Sequence, residues 1–203
     1  MRIEFGTDGI RGRANENLTI DMAYRIGQYL GNYYKKTEKA RILIGRDTRL
    51  SGSMFENALA AGITSVGSDA YILGVCSTPS LVYLVKEDGF SCGLMISASH
   101  NPFHDNGIKV ISGEGKKMTS EVERSIEDYI YGNEFLPLAI GSEIGVVNDF
   151  HKGLDQYIDH LAEMFPLDLT GHKIAVDCAN GSATVTAERM FRRLNADVTV
   201  INN

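Results

Sequence analysis

Three cysteines are all that the 203 residues contain, and Cys76, Cys92 and Cys178 show no Cys-x-x-Cys spacing. An odd, scattered set of this kind excludes a disulfide framework or a cysteine zinc site as the organising device. Two of the three sit in apolar runs, where a thiol packs as a small hydrophobe. A surplus of basic charge is also missing: 20 Lys and Arg stand against 26 Asp and Glu, a formal net charge of -6. Nothing therefore marks a surface for nucleic acid or an anionic membrane, and an anionic substrate must be met by cations placed locally. No apolar run reaches the length of a membrane span, and Met1-Arg2-Ile3-Glu4-Phe5 lacks the basic-then-apolar layout of a signal peptide, so the expectation is a cytoplasmic protein. Internal repeats and low-complexity segments are absent too. What remains, 43% hydrophobic and 23% charged, is an ordinary globular chain, long enough for one domain and part of a second.

Along the chain, strand-like and helix-like segments alternate almost without pause. Thr19 is a plausible N-cap for a helix carrying Ala23, Ile26, Leu30 and Tyr33. Arg41 to Gly45 reads as a buried strand, and Ser53 with Glu56 has capping-box spacing ahead of Leu59, Gly62, Ile63 and Val66. A strand over Ala70–Val75, a short helix over Leu81–Lys86, a strand over Gly89–Ile96 and a strand over Ile108–Ile111 follow. Ser120 with Glu123 opens a further helix, and residues 131–148 then break the pattern with Gly132, Pro137, Gly141 and Gly145. A helix from Phe150 to Phe165, a strand over Lys173–Cys178, a helix over Ala187–Leu194 and a strand over Asp197–Ile201 complete the series. The expected fold is α/β: a three-layer domain with a mixed sheet flanked by helices over 1–148, then the start of a second α/β domain of similar type over 149–203. The second unit is small for an independent core and reads as a domain cut part-way.

Chemistry gathers where strands end. Thr7-Asp8-Gly9-Ile10-Arg11-Gly12, Gly45-Arg46-Asp47-Thr48-Arg49, the stretch from Ser97 to Lys109, and Asp177-Cys178-Ala179-Asn180-Gly181 are polar clusters at such tips, where α/β folds collect ligands. Arg11, Arg46 and Arg49 carry planar forks suited to phosphate or carboxylate. An Arg beside an Asp, as at Arg46-Asp47, reads more readily as a structural ion pair; convergence of several arginines on one strand-end face favours an anion site. The stretch "SASHNPFHDNGIK" (97–109) contains Asn101-Pro102 and Asp105-Asn106-Gly107, which read as turns. Turn chemistry leaves Ser99, His100 and Lys109 unexplained. Ser99 lacks the flanking glycines of a hydrolase nucleophile elbow, which disfavours acyl transfer. A serine in phosphoryl transfer needs positive charge around it and a group to exchange the substrate hydroxyl proton, a part Lys109 could take. Bracing its own loop is the lesser reading of His100, and His104 reads as a solvated loop residue.

"FGTDGIRG", "GRDTRLSG", "SASHNPFHDNGIK" and "DCANG", in this order and spacing, closely resemble the α-D-phosphohexomutases along the whole chain. The resemblance implies a reversible mutase acting on glucosamine 6-phosphate and glucosamine 1-phosphate through a bisphosphate intermediate. It implies that Ser99 carries the phosphoryl group, that Lys109 and His100 handle protons, and that Arg11, Thr7, Asp8 and Asn101 contact phosphate or substrate. Ser97, Arg46, Asp47 and Arg49 would support that site from behind. Mg²⁺, bound in part through the phosphate on Ser99, is the implied metal, and glucosamine or glucose 1,6-bisphosphate the implied activator. The implied partner is a small hexosamine phosphate, with a homodimer as one candidate assembly and no nucleic acid or membrane involved.

The family's Asp-x-Asp-x-Asp-Arg metal loop, its Gly-Glu-x-Ser-Gly-His sugar-reading string and its Ser-Gly-Thr-Glu phosphate loop do not occur in residues 1–203. Gly181-Ser182-Ala183 also departs from the family's Gly-Ala-Gly. The expectation is thus the amino-terminal portion of a mutase, unable to complete the cycle alone. A phosphomannomutase or phosphoglucomutase of the same family is the rival enzyme, and a non-catalytic binding or assembly module the rival of another kind.

Overall fold

The structure is a computed structural model that describes residues 5–6, 9–36 and 38–203. Strand periodicity sends alternate side chains to opposite faces, and β3 (Arg41–Arg46) shows what this does here. Ile42 and Ile44 enter one core while Leu43 enters another. Among the described residues, β3 shares a seven-stranded sheet with β1 (Phe5–Gly6), β2 (Gly9–Arg13), β4 (Asp69–Val75), β5 (Cys92–Ile96), β6 (Asp105–Ser112) and β7 (Val147–Asp149). Their order is β1-β2-β6-β5-β3-β4-β7. The β3–β4, β3–β5 and β4–β7 pairs are parallel, and β1–β2, β2–β6 and β5–β6 are antiparallel.

Helices cover both faces. α1 (Ile20–Tyr34), α2 (Gly52–Ser65) and α4 (Ser120–Tyr131) bury Ile26, Leu30, Phe55, Leu59 and Ile126 against one side. α3 (Thr78–Glu87) and α5 (Gly153–Met164) close the other with Leu81, Leu84, Val85 and Leu154. This is the three-layer mixed-sheet α/β fold expected. α1 and α2 approach closely because Gly62 lacks a Cβ, which would collide with the carbonyl oxygen of Tyr24. Further on, β8 (Lys173–Asp177) and β9 (Asp197–Ile201) form a separate parallel pair, linked through α6 (Ala187–Arg193). α6 reaches α5 through the ion pairs Arg189–Asp155 and Arg193–Asp159. Among the described residues no helix is long and apolar enough to cross a membrane.

Several boundaries differ from the sequence expectation, each for a local reason. Thr19 does cap α1, its hydroxyl accepting Met22 N–H at 3.4 Å. The Ser53/Glu56 capping box does not form: α2 starts at Gly52, and Glu56 turns instead to Arg46. α4 is capped by Thr119, one residue before Ser120. α3 begins at Thr78 rather than Leu81, with Ser77 as its N-cap. β5 begins at Cys92 rather than Gly89, which takes a positive φ after α3. Asp105-Asn106-Gly107 is not a turn but the first part of β6, paired with Arg13, Gly12 and Arg11. Buried Asn106 is tolerated there because its Nδ2 donates to Ser51 Oγ at 2.9 Å and its Oδ1 accepts Gly107 N–H at 2.8 Å.

Candidate active site at the tip of the central strands

β5 ends at Ile96, and Ser97 N–H still donates to the carbonyl of Gly107 at 2.9 Å before the chain turns away. Ser99 then adopts φ +57°, a left-handed conformation that a non-glycine residue takes only when its surroundings impose it. Three contacts impose it here. Ser97 Oγ accepts the Ser99 N–H at 3.0 Å, Asn101 N–H donates to the Ala98 carbonyl at 3.1 Å, and Arg49 Nη2 donates to the Ser99 carbonyl at 2.9 Å. The turn leaves Ser99 Oγ 3.3 Å from His100 Nδ1. Gly107 lies directly beneath: a Cβ there would come within 2.8 Å of the Ser97 carbonyl oxygen and 2.9 Å of Arg11 Cγ.

A cleft of about 720 Å³ opens over this turn. Ser97, Ser99, His100, Asn101 and Lys109 line it from the β5–β6 side, and Asp47, Thr48 and Arg49 from the tip of β3. Lys109 stands opposite Met95 in the β5–β6 ladder, so both side chains share the face on which Ser97 also lies. The serine, the histidine and the lysine singled out from sequence thus border one cavity.

The arginines are engaged within the protein. Arg46 Nε pairs with Glu56 at 3.2 Å, not with the adjacent Asp47. Arg49 Nε pairs with Asp47 at 3.0 Å, and its terminal nitrogens donate to the carbonyls of Ser99, Asn101, Pro102 and Asp105. Arg11 and Arg46 lie outside the lining of the cleft. Arg11 Nη1 instead reaches Asn101 Oδ1 at 3.4 Å, while Asn101 Nδ2 donates to Asp105 at 3.1 Å, so Asn101 ties β2 to the serine loop. Thr7 and Asp8 lie outside the described residues. His104, partly exposed, is 3.6 Å from the Asp105 carboxylate and does not line the cleft.

The cleft has two further walls, of which only the cluster ending at Gly181 was marked in the sequence. The start of α3, at Ser77, Thr78 and Pro79, borders it and presents the positive end of a helix. Residues 179–182 face it from beyond β8, and Thr48 Oγ1 donates to the Asn180 carbonyl at 2.6 Å. Leu50 and Phe103 stand at the lining 97% and 86% exposed. A Ser-Thr-Pro string just after a strand was the available signal for the α3 wall; nothing in the sequence pairs Thr48 with Asn180.

Burial shapes the ionisable groups nearby. Desolvation holds the Glu56 carboxyl above its ordinary range, against the pull of Arg46. It also pushes the Cys76 thiol up to about 12. All three cysteines are free and buried.

The sequence profile described as "Phosphoglucomutase/phosphomannomutase, alpha/beta/alpha domain I" matches residues 2–136. The chain belongs to this family. A phosphoglucosamine mutase of Lachnoclostridium phytofermentans is 51% identical over 199 residues, covering 98% of this chain and 44% of the relative. The solved structure of a phosphoglucomutase/phosphomannomutase family protein from Burkholderia thailandensis superposes with a TM-score of 0.80 at 25% identity, covering 98% of this chain and 43% of the other. More distantly, an Aspergillus fumigatus N-acetylphosphoglucosamine mutase solved with GlcNAc-6P and magnesium shares the fold at a TM-score of 0.52 and 15% identity. The chain spans less than half the length of the curated relatives it matches.

Proposed function

We propose that residues 1–203 form the phosphoryl-carrying portion of a phosphoglucosamine mutase, which interconverts glucosamine 6-phosphate and glucosamine 1-phosphate. The observation that carries the reading is Ser99, held in a left-handed turn with its hydroxyl beside His100 in a cleft that also contains Lys109. Identity of 51% to a relative of that name favours the hexosamine substrate. In the proposed cycle, phosphorylated Ser99 gives its group to the free hydroxyl of the sugar phosphate. The bond from phosphorus to Ser99 Oγ breaks as the bond to the sugar oxygen forms. The hydroxyl proton leaves to Lys109 or His100, and Oγ takes a proton back. The resulting 1,6-bisphosphate turns over in the cleft and returns its other phosphoryl group to Ser99. Phosphorylation adds about 1.5 to 2 negative charges at a loop, which the α3 terminus and Lys109 offset.

Mg²⁺ held through the phosphate on Ser99, a sugar 1,6-bisphosphate activator and cytoplasmic residence belong to the same reading. The described residues contain no group of three His, Cys, Asp or Glu able to hold a metal. Asp47 gives both its oxygens to Arg49. These residues do not fit a Mg²⁺ site without further ligands.

The test assays the complete gene product with glucosamine 6-phosphate, mannose 6-phosphate and glucose 6-phosphate, with intact-mass analysis before and after. Preferred turnover of the glucosamine ester and a single phosphoryl group mapped to Ser99 support the reading. A fully active Ser99→Ala protein, or preference for mannose or glucose phosphate, would sink it.

A further inference from the structure

We propose that Arg49 is a positioning residue of this site, setting the direction in which Ser99 presents its hydroxyl. The inference rests on the reading of Ser99 as phosphoryl carrier. A guanidinium has five N–H donors in a rigid fork, and Arg49 has all five committed within the protein. Nε donates to Asp47 Oδ2 at 3.0 Å, Nη1 to the Pro102 and Asp105 carbonyls at 2.7 and 3.0 Å, and Nη2 to the Ser99 and Asn101 carbonyls at 2.9 Å each. No N–H remains for a substrate phosphate, so its part cannot be that of an anion ligand.

Its geometry shows what it does instead. Four carbonyl oxygens from one seven-residue loop converge on one planar cation, although their dipoles repel one another without it. The side chain is only 10% exposed, so most of the guanidinium is shielded from water although the Ser99 and Pro102 acceptors lie at the surface. Asp47 fixes the guanidinium in turn: its Oδ1 accepts the Arg49 N–H at 3.0 Å, and its own N–H donates to the Ile96 carbonyl at 2.9 Å. A closed circuit therefore runs from the end of β5 through Asp47 and Arg49 to Ser99, three residues past Ile96. With both ends of that short path tied, the left-handed turn at Ser99 has no alternative that keeps the five bonds. Lysine cannot replace this arrangement, because a single ammonium cannot meet four carbonyls and a carboxylate with the spread of the planar fork.

Phosphoryl transfer depends on alignment of the attacking oxygen, the phosphorus and the leaving oxygen. The consequence of loosening the loop is a loss in rate, not in substrate affinity. In the complete gene product, Arg49→Ala and Arg49→Lys should each lower kcat roughly 10²-fold, with KM for the sugar phosphate unchanged within about threefold. Added guanidinium ion should restore part of the rate of Arg49→Ala and leave the wild type unaffected. Wild-type kcat in Arg49→Lys overturns the proposal, as does a loss carried wholly by KM, which would make Arg49 a substrate ligand. Hydrogen exchange in the wild-type protein decides the matter if both variants fail to fold. Slow exchange of the Arg49 guanidinium N–H protons supports the clamp, and exchange at the rate of a free guanidinium group overturns it. A wild-type protein with no phosphoryl group on Ser99 and no turnover fails the functional reading instead, and the exchange measurement still judges the clamp.

Discussion

Ser97 Oγ accepts the backbone N–H of Ser99 at 3.0 Å, so the residue that leaves β5 holds the turn that presents the serine. Ser97 is 7% exposed, and removing its hydroxyl takes the acceptor from a part-buried bond. Ser97→Ala should therefore lower unfolding stability by about 0.5–1.5 kcal/mol and slow phosphoryl uptake at Ser99, whereas Ser97→Thr retains both. Denaturant titration and timed intact-mass analysis read the two effects. An alanine variant with wild-type stability and uptake would show that the turn stands without this bond.

Gly107 offers a test of the packing beneath the loop. It lies in β6 paired with Arg11, and an added methyl would meet the Ser97 and Ile10 carbonyl oxygens at 2.8 and 3.0 Å. Those atoms are backbone, of β2 and of the residue just past β5, and cannot swing aside as a side chain could. Gly107→Ala should destabilise by about 1–3 kcal/mol, visible as a lower denaturant midpoint. An unchanged midpoint would mean that β2 and β6 are not apposed as described.

Glu56 predicts a pH dependence. Burial raises its carboxyl above the unfolded value despite the opposing pull of Arg46, so the folded state favours the protonated form. The stability this contributes is complete below the unfolded carboxylate value, and it is lost as pH rises through the raised folded one. Glu56→Gln, which cannot ionise, escapes that loss. As pH rises from the ordinary glutamate range through the raised folded value, the stability of the variant relative to wild type should grow. A relative stability that falls with pH would mean the Arg46 pair outweighs burial.

What could be read from sequence follows from the range of the interactions involved. The βα rhythm was legible because strand and helix periodicity are local, and the cluster at 97–109 stood out because the apolar run of β5 stops at Ile96. Asp105-Asn106-Gly107 misled because its composition is that of a turn, while its strand character comes from pairing with β2, more than ninety residues away in the chain. The partners of the arginines were hidden for a related reason. Arg46 and Arg49 carry forks suited to phosphate, but Glu56, Asp47 and the serine-loop carbonyls take them first. Only folding brings those acceptors within reach. The same holds for β7, whose three residues sit in a Gly- and Pro-rich stretch and become a strand by adding to β4.

Lys109 tests the proton-handling side of the proposed reaction. It is in the middle of β6, opposite Met95 in the ladder with β5, so its backbone is held by that pairing and truncation of the side chain leaves the strand in place. Its side chain borders the same cleft as Ser99 and His100. If its amine exchanges the substrate hydroxyl proton, its loss should cost roughly 10²- to 10⁴-fold in kcat, measured in the complete gene product with circular dichroism to verify the fold. Lys109→Arg separates two roles. Arginine keeps the positive charge but cannot release a proton at working pH, so a proton-exchanging lysine predicts that Lys109→Arg is nearly as impaired as Lys109→Ala. A field-supplying lysine would leave the arginine variant close to wild type while the alanine variant fails. Near-wild-type turnover in both variants would remove Lys109 from the reaction and leave His100, 3.3 Å from the serine hydroxyl, as the group to examine.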